Sequence, residues 1–167
     1  MTGDPIPIEL VRRAQGGDTL AMNELLSLLT PHVGRICGPI ALGAAADAAQ
    51  EALIVIFKSL RALREPAALH GWVKTIAARE AIRVARANAR SVPDDLSSLP
   101  APGDQLLGAD IQDSLANLTP EHRAVLVLRD LEGYSEQEAA QLLRVPAGTV
   151  KSRLHRAREN FRKVWAA

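Results

Sequence analysis

The stretch "SEQEAAQLLRVPAGTVKSRLHRARENFRK", Ser135 to Lys163, most restricts what this chain can fold into. Ser135 and Glu138 stand at the S-x-x-E spacing of a capping box, which predicts a helix from Glu136. "RVPAG" ends that helix after a short run, because proline lacks an amide and restricts the residue before it. A second helical pattern follows at once. Val150, Leu154, Ala157 and Phe161 recur at i, i+4, i+7 and i+11, the spacing of one buried helical face. Between Lys151 and Lys163 the same helix carries six Lys or Arg against one acid, Glu159. Two short helices joined by a tight turn, the second one basic, form the helix-turn-helix pattern.

With Val150 turned inward, a step of about 100° per residue sends Ser152, His155, Arg156 and Glu159 to the outer face. Thr149 and Lys151 lie on its shoulders. Near the start of a recognition helix such side chains reach base edges in the major groove. Arg can bridge the two guanine acceptors, while Ser and His bond several bases. Arg153, Arg158, Arg162 and Lys163 suit phosphates, which position a helix but read little sequence. A basic helix alone is usually a solvated face; the capping box and tight turn before it point to DNA.

A second basic surface lies in "GWVKTIAAREAIRVARANAR", where Arg79, Arg83, Arg86 and Arg90 fall on one helical stripe. The bland alternative is four arginines whose stems cover an amphipathic helix. Trp72 extends the stripe and is read as core. Two basic helices in separate parts of the chain call for a ligand long enough to meet both, and duplex DNA fits.

The chain has 167 residues, enough for one ordinary domain or two small ones. Aromatics are 3% of it, Ala and Leu dominate, and no alternating strand pattern is visible, so the expected fold class is all-α. The net charge of +1 is unevenly spread. Residues 91–118 hold five acids and no base, whereas 1–90 hold eleven bases and eight acids, and 119–167 hold nine and six. "SVPDDLSSLPAPGDQ", residues 91–105, reads as an extended acidic linker. The expected division is therefore 1–90 as one helical domain, 91–110 as linker and 111–167 as a second domain.

Within the first domain, helices are expected at about 7–15, from the cap candidate Asp18 with a bend or break near Pro31, at about 45–63 and at about 71–89. The second should begin with a short helix at about 106–117. Another follows from Thr119 and Pro120 to Leu131, closed by Gly133. No apolar segment is expected to span a bilayer, and the N-terminus does not read as a signal peptide. Cys37, the single cysteine, reads as a buried structural thiol. A cytoplasmic protein is expected.

The run "LTPEHRAVLVLRDLEGYSEQEAAQLLRVPAGTVKSRLHRAR", 118–158, closely resembles the C-terminal domain of bacterial sigma factors, which binds the minus-thirty-five promoter element. "DAAQEALIVIF", 47–57, resembles the helix that docks on the polymerase clamp, and "GWVKTIAAREAIRVAR" the helix that meets the minus-ten element. The pair of domains is the architecture of the extracytoplasmic-function (ECF) group of the sigma-70 family. The resemblance implies several roles. Thr149, Lys151, Ser152, Arg153, His155 and Arg156 would read the minus-thirty-five groove. Arg79, Arg83 and Arg86 would face minus-ten DNA, and the loop 64–71 would help hold a base flipped from the opened strand. Asp47, Gln50, Glu51 and Ile54, with Leu53 nearby, would contact the clamp helices of the largest subunit of core RNA polymerase. The second domain would meet the flap, and the acidic linker would run through the channel that later carries RNA.

An anti-sigma factor is a further possible partner. The terminal Ala166-Ala167 resembles tails recognised by energy-dependent proteases. No cofactor or metal is implied, no membrane contact is expected, and the four scattered histidines form no recognisable enzymatic motif. The competing reading is a transcriptional regulator of the response-regulator output type, which shares "LTP…G…TVK". It leaves the "DAAQEA" helix unexplained.

Overall fold

The computed structural model describes residues 5–91 and 109–166, with the side chains of residues 90, 91, 109, 110 and 164–166 outside that description. Among the described residues the chain is helical, without strands. Four helices precede the gap: α1 (Ile8–Gln15), α2 (Thr19–Ala41), α3 (Ala45–Ser59) and α4 (Leu69–Ser91). Four follow it: α5 (Ala109–Ala116), α6 (Pro120–Leu126), α7 (Glu136–Leu143) and α8 (Ala147–Ala166).

Asp18 starts α2 as expected: its side chain accepts the Ala21 amide at 3.1 Å. That bond, with the Arg13 guanidinium beside it, holds the Asp18 carboxyl below its ordinary pKa. Of the bend or break expected near Pro31, the break does not occur: α2 runs continuously through Pro31 and Pro39. Each proline deprives the carbonyl four residues back of its donor. Those carbonyls belong to Ser27 and Arg35, both exposed, so water can satisfy them. On the other side of α2, Leu25, Leu29, Val33, Ile36, Cys37 and Ile40 are fully buried, and this face keeps the helix whole.

At Leu42, with φ of 49°, the chain turns and α3 doubles back along α2. α4 packs on both, and α1 on α2. The core of this bundle is large residues from α2 set against Ala48 and Ala52 of α3 and Ala77, Ala78 and Ala81 of α4. Small residues let the helix backbones approach closely. Cys37 is buried as expected, its thiol pushed up to about 12 by burial. Trp72 packs against the core at intermediate burial. One expectation needs correction. Thr19–Ala62 is long and apolar enough by composition to cross a membrane. Here it is folded into α2, α3 and the turns after each, and many of its apolar side chains, among them Leu25, Leu29, Val33, Ile36, Ile40 and Ile56, form the bundle core.

In the second half, the Thr119 side chain accepts the His122 amide at 3.2 Å and Pro120 opens α6. The helix widens into one π-helical turn, Val127–Leu131, and the chain leaves it through Gly133 at φ 74°. The capping box at α7 forms in both directions: the Glu138 amide to Ser135 Oγ at 3.0 Å, and the Ser135 amide to Glu138 Oε2 at 2.8 Å. Arg144 takes the left-handed position that ends α7, at φ 57°. A non-glycine residue there is uncommon. The Val145 amide, bonded to Ala140 O at 3.0 Å, closes the turn. Val150 and Leu154 are buried in the main core cluster and Ala157 beside Leu115 of α5 and Leu118, with Phe161 half-buried, so the apolar stripe is where the spacing put it.

The two halves touch. α6 packs on α2 and α4, α7 packs on α4, and one continuous cluster of buried residues draws on both. Most of the acidic linker, residues 92–108, lies outside the described residues. α4 itself extends to Ser91 and α5 is described from Ala109, with residues 106–108 of its expected span outside the described residues.

Candidate nucleic-acid interface

The capping box and the turn at Arg144 set the angle at which α8 leaves α7, and the buried stripe of α8 fixes its rotation. The result exposes Lys151, Ser152, His155 and Arg156 together, with Thr149 and Arg153 half-buried at the margin. These are the six residues that the sequence picked for the major groove, and they lie on adjacent positions of one helix. Ser152 Oγ also bonds back to Thr149 O at 3.1 Å. Arg158 does not belong to this surface. It pairs with Asp130 through both Nε, at 3.2 Å, and a terminal nitrogen, at 2.5 Å, which ties α8 to the π-turn and raises the guanidinium pKa. In this structure Arg158, for which a phosphate was expected, forms a fork with Asp130 between two helices.

The stripe on α4 is less open than its spacing suggests. Arg79 is half-buried and donates from Nε to Leu142 O at 2.9 Å, and burial lowers its pKa. Arg86 pairs with Glu121 of α6. Arg83 is exposed and pairs with Glu80 at 2.7 Å and with Glu51 at 3.5 Å. The side chain of Arg90 lies outside the described residues. On α3, Asp47, Gln50 and Glu51 are exposed while Ala48, Ala52 and Ile56 face the core. Ile54 is 39% exposed and Phe57 56%, so one outward face of α3 carries both carboxylates and large apolar groups. The two expected surfaces abut in a shallow recess lined by Asp47, Gln50, Glu51, Arg83, Val84 and Ala87.

Sequence reading missed the residues that join the halves. Lys74 Nζ lies 2.9 Å from Glu132 and 5.5 Å from the centre of the Tyr134 ring. Buried Arg123 donates from Nε to Ile40 O at 2.7 Å and from a terminal nitrogen to Leu118 O and Leu115 O. Burial brings its pKa down to about 10. No sequence motif marks any of these, since each contact joins positions far apart in the chain.

Two histidines near these surfaces give a pH expectation. His32 and His122 both have lowered pKa values, first through burial and then through neighbouring arginines: Arg35 for one, Arg153 and Arg156 for the other. The unfolded chain therefore binds more protons than the folded one as pH falls through the ordinary histidine range, and stability falls with it. Thermal melts should show Tm dropping between about pH 7.5 and about pH 5.5, and a His32→Asn/His122→Asn variant should flatten that drop.

Residues 109–161 match the family model described as sigma-70, region 4. The chain is 30% identical to the ECF RNA polymerase sigma-E factor of Haemophilus influenzae, over 90% of each protein. The chain belongs to the ECF sigma factors. It is also 31% identical to the RNA polymerase sigma-H factor of Pseudomonas aeruginosa, over 93% of this chain and 92% of that one. Identity to the mycobacterial sigma factor SigE of Mycolicibacterium smegmatis is 36%, and that match covers 73% of this sigma factor but only 52% of the relative. In fold it is similar to RpoE of Bartonella quintana, solved with the anti-sigma factor NepR, at TM-score 0.66 and 23% identity over 87% of this chain and 96% of that one. CnrH, solved with the cytosolic domain of CnrY, gives 0.65 and 19% over 94% and 95%.

Proposed function

We propose that this sigma factor, acting in the bacterial cytoplasm, brings core RNA polymerase to promoters through two separate DNA surfaces and performs no chemistry itself. The observation that carries the reading is the exposed, basic outer face of α8, held by a formed capping box and turn on a chain of this family. Thr149, Lys151, Ser152, Arg153, His155 and Arg156 read the minus-thirty-five element. Arg79, Arg83 and Arg86 face minus-ten DNA. Asp47, Gln50, Glu51 and Ile54 meet the polymerase clamp, where exposed carboxylates beside Ile54 and Phe57 offer charge and apolar area together. The proposed domain limits are 1–90 and 111–167, with 91–110 as the linker.

Two of the structural neighbours, CnrH and RpoE, were solved with a second protein, an anti-sigma factor in the case of RpoE. An inhibitory protein of that kind is accordingly a candidate partner here. Run-off transcription with purified core polymerase on a genomic promoter library tests the proposal. Discrete new start sites sharing two spaced motifs are expected when the protein is added. Start sites unchanged by the protein, with duplex DNA bound by a dimer alone, would replace it with the regulator reading.

A further inference from the structure

Four of the described residues have a positive φ, and three of them have a reason inside the chain. Gly17 and Gly133, at 97° and 74°, lack the Cβ that makes this conformation costly. Leu42, at 49°, packs its side chain against the small cluster of Leu115, Leu118 and Ala157. Arg144, at 57°, is the exception. It closes α7 with both bonds of a Schellman turn, its own amide to Gln141 O at 3.3 Å and the Val145 amide to Ala140 O at 3.0 Å. Glycine is the residue such a turn favours, because a Cβ there crowds the backbone. The Arg144 side chain is exposed, and among the described residues its guanidinium has no hydrogen bond and no ion pair. The charge near it is a like one: Arg79, whose pKa is lowered first by burial and then by Arg144. Backbone strain and like-charge repulsion thus meet at one residue, and nothing among the described residues offsets them. Strain of this kind clusters at ligand contacts, where the compensating interaction comes from outside.

The place of Arg144 in the fold says what that contact is. It stands between the two helices of the helix-turn-helix, three residues before Ala147, the first residue of α8. In that motif the second helix enters the major groove by its N-terminal end while the first crosses the DNA backbone. The turn between them therefore lies over the wall of the groove, where the phosphates run. A guanidinium, planar and always charged, meets a phosphate with two parallel hydrogen bonds.

We infer that Arg144 binds a phosphate of the promoter backbone beside the minus-thirty-five groove and holds α8 in register there, at a cost in the stability of its own turn. The inference rests on the proposed minus-thirty-five role of α8.

Arg144→Gly separates the two effects, because it removes the guanidinium and the strain together. The variant is expected to melt about 2–4 °C higher than the parent. Its complex with core polymerase is expected to bind promoter DNA about three- to tenfold more weakly at low salt, with the slope of log affinity against log salt reduced by about one. The loss should be equal on templates that differ at single minus-thirty-five positions, because phosphates carry no sequence information. Arg144→Ala should bind as weakly without melting higher, since alanine keeps the Cβ. Arg144→Lys should keep the salt slope, since the charge remains.

Affinity and salt slope equal to the parent's would overturn the inference, even with a raised melting point. A lowered melting point together with weaker binding would also overturn it, because Arg144 would then be a support of the turn. Loss confined to one template would make it a base reader instead. Failure of the proposed function shows separately, as a parent chain that gives no promoter-specific start sites. In that event the salt slopes of parent and Arg144→Gly on duplex DNA of arbitrary sequence, measured without core polymerase, still decide the phosphate contact.

Discussion

Replacing Arg123 with methionine should lower the stability of the full chain by about 3 kcal/mol, seen as a lower urea midpoint with little change in slope. The side chain is 7% exposed and makes no ion pair among the described residues; its donors go to Ile40 O, Leu115 O and Leu118 O. Methionine fills a similar volume, so cavity formation is a small part of the cost. The larger part is the stranded carbonyls. Ile40 lies in the last turn of α2, whose carbonyls lack intrahelical donors, and Leu118 O lies outside any helix. Leu115 O keeps the Leu118 amide at 3.0 Å and suffers less. Two stranded acceptors at about 1–3 kcal/mol each, less the recovered cost of burying a guanidinium, give the stated figure. Arg123→Lys should fall between, because one ammonium cannot serve carbonyls on both sides with the geometry of the planar fork. A methionine variant as stable as the parent would show that those carbonyls find water or that burial of the cation already cost what its bonds return.

How much of this could be read from the sequence follows the range of the interactions. The capping box at Ser135, the Thr119 cap and the Asp18 cap are contacts within three residues, and each forms as its spacing requires. The stripe Val150–Leu154–Ala157 needs only the helical period, and it is buried. Pro31 does not end α2, because proline is only a local signal of helix termination, whereas the outcome depended on the exposed side of the helix where it lies and on the apolar face opposite. The linker composition suggested domains held apart, and no local rule foretold that Lys74, Arg79, Arg86 and Arg123 would bond across 35 to 83 positions of sequence. Arg79 reaches 63 residues ahead and Arg123 reaches 83 back. The pairing of Arg158 with Asp130, 28 residues away, was likewise not readable from local sequence.

Arg156→Ala should relax minus-thirty-five selectivity by roughly 1–3 kcal/mol, or about 5- to 150-fold in the ratio of preferred to altered promoters. Arg156 is exposed on the outer face of α8, one position beyond His155 and two turns from the start of the helix. From there a guanidinium can reach a guanine edge and bridge its two acceptors, which alanine cannot. Folding should be nearly unaffected, since exposed substitutions away from caps and networks shift stability by about 0.5 kcal/mol or less. Run-off on paired templates that differ at single minus-thirty-five positions separates two roles. Loss confined to one base pair assigns Arg156 to reading that base. Equal loss on every template, with a salt slope reduced by about one, assigns it to a phosphate. Arg162→Ala, further along the same helix, is the companion variant and should show the second pattern. The contrast matters because α8 carries more cations than a major groove has base contacts to offer. Phosphate contacts hold the helix in register, and only with the register fixed does an arginine at position 156 discriminate between bases.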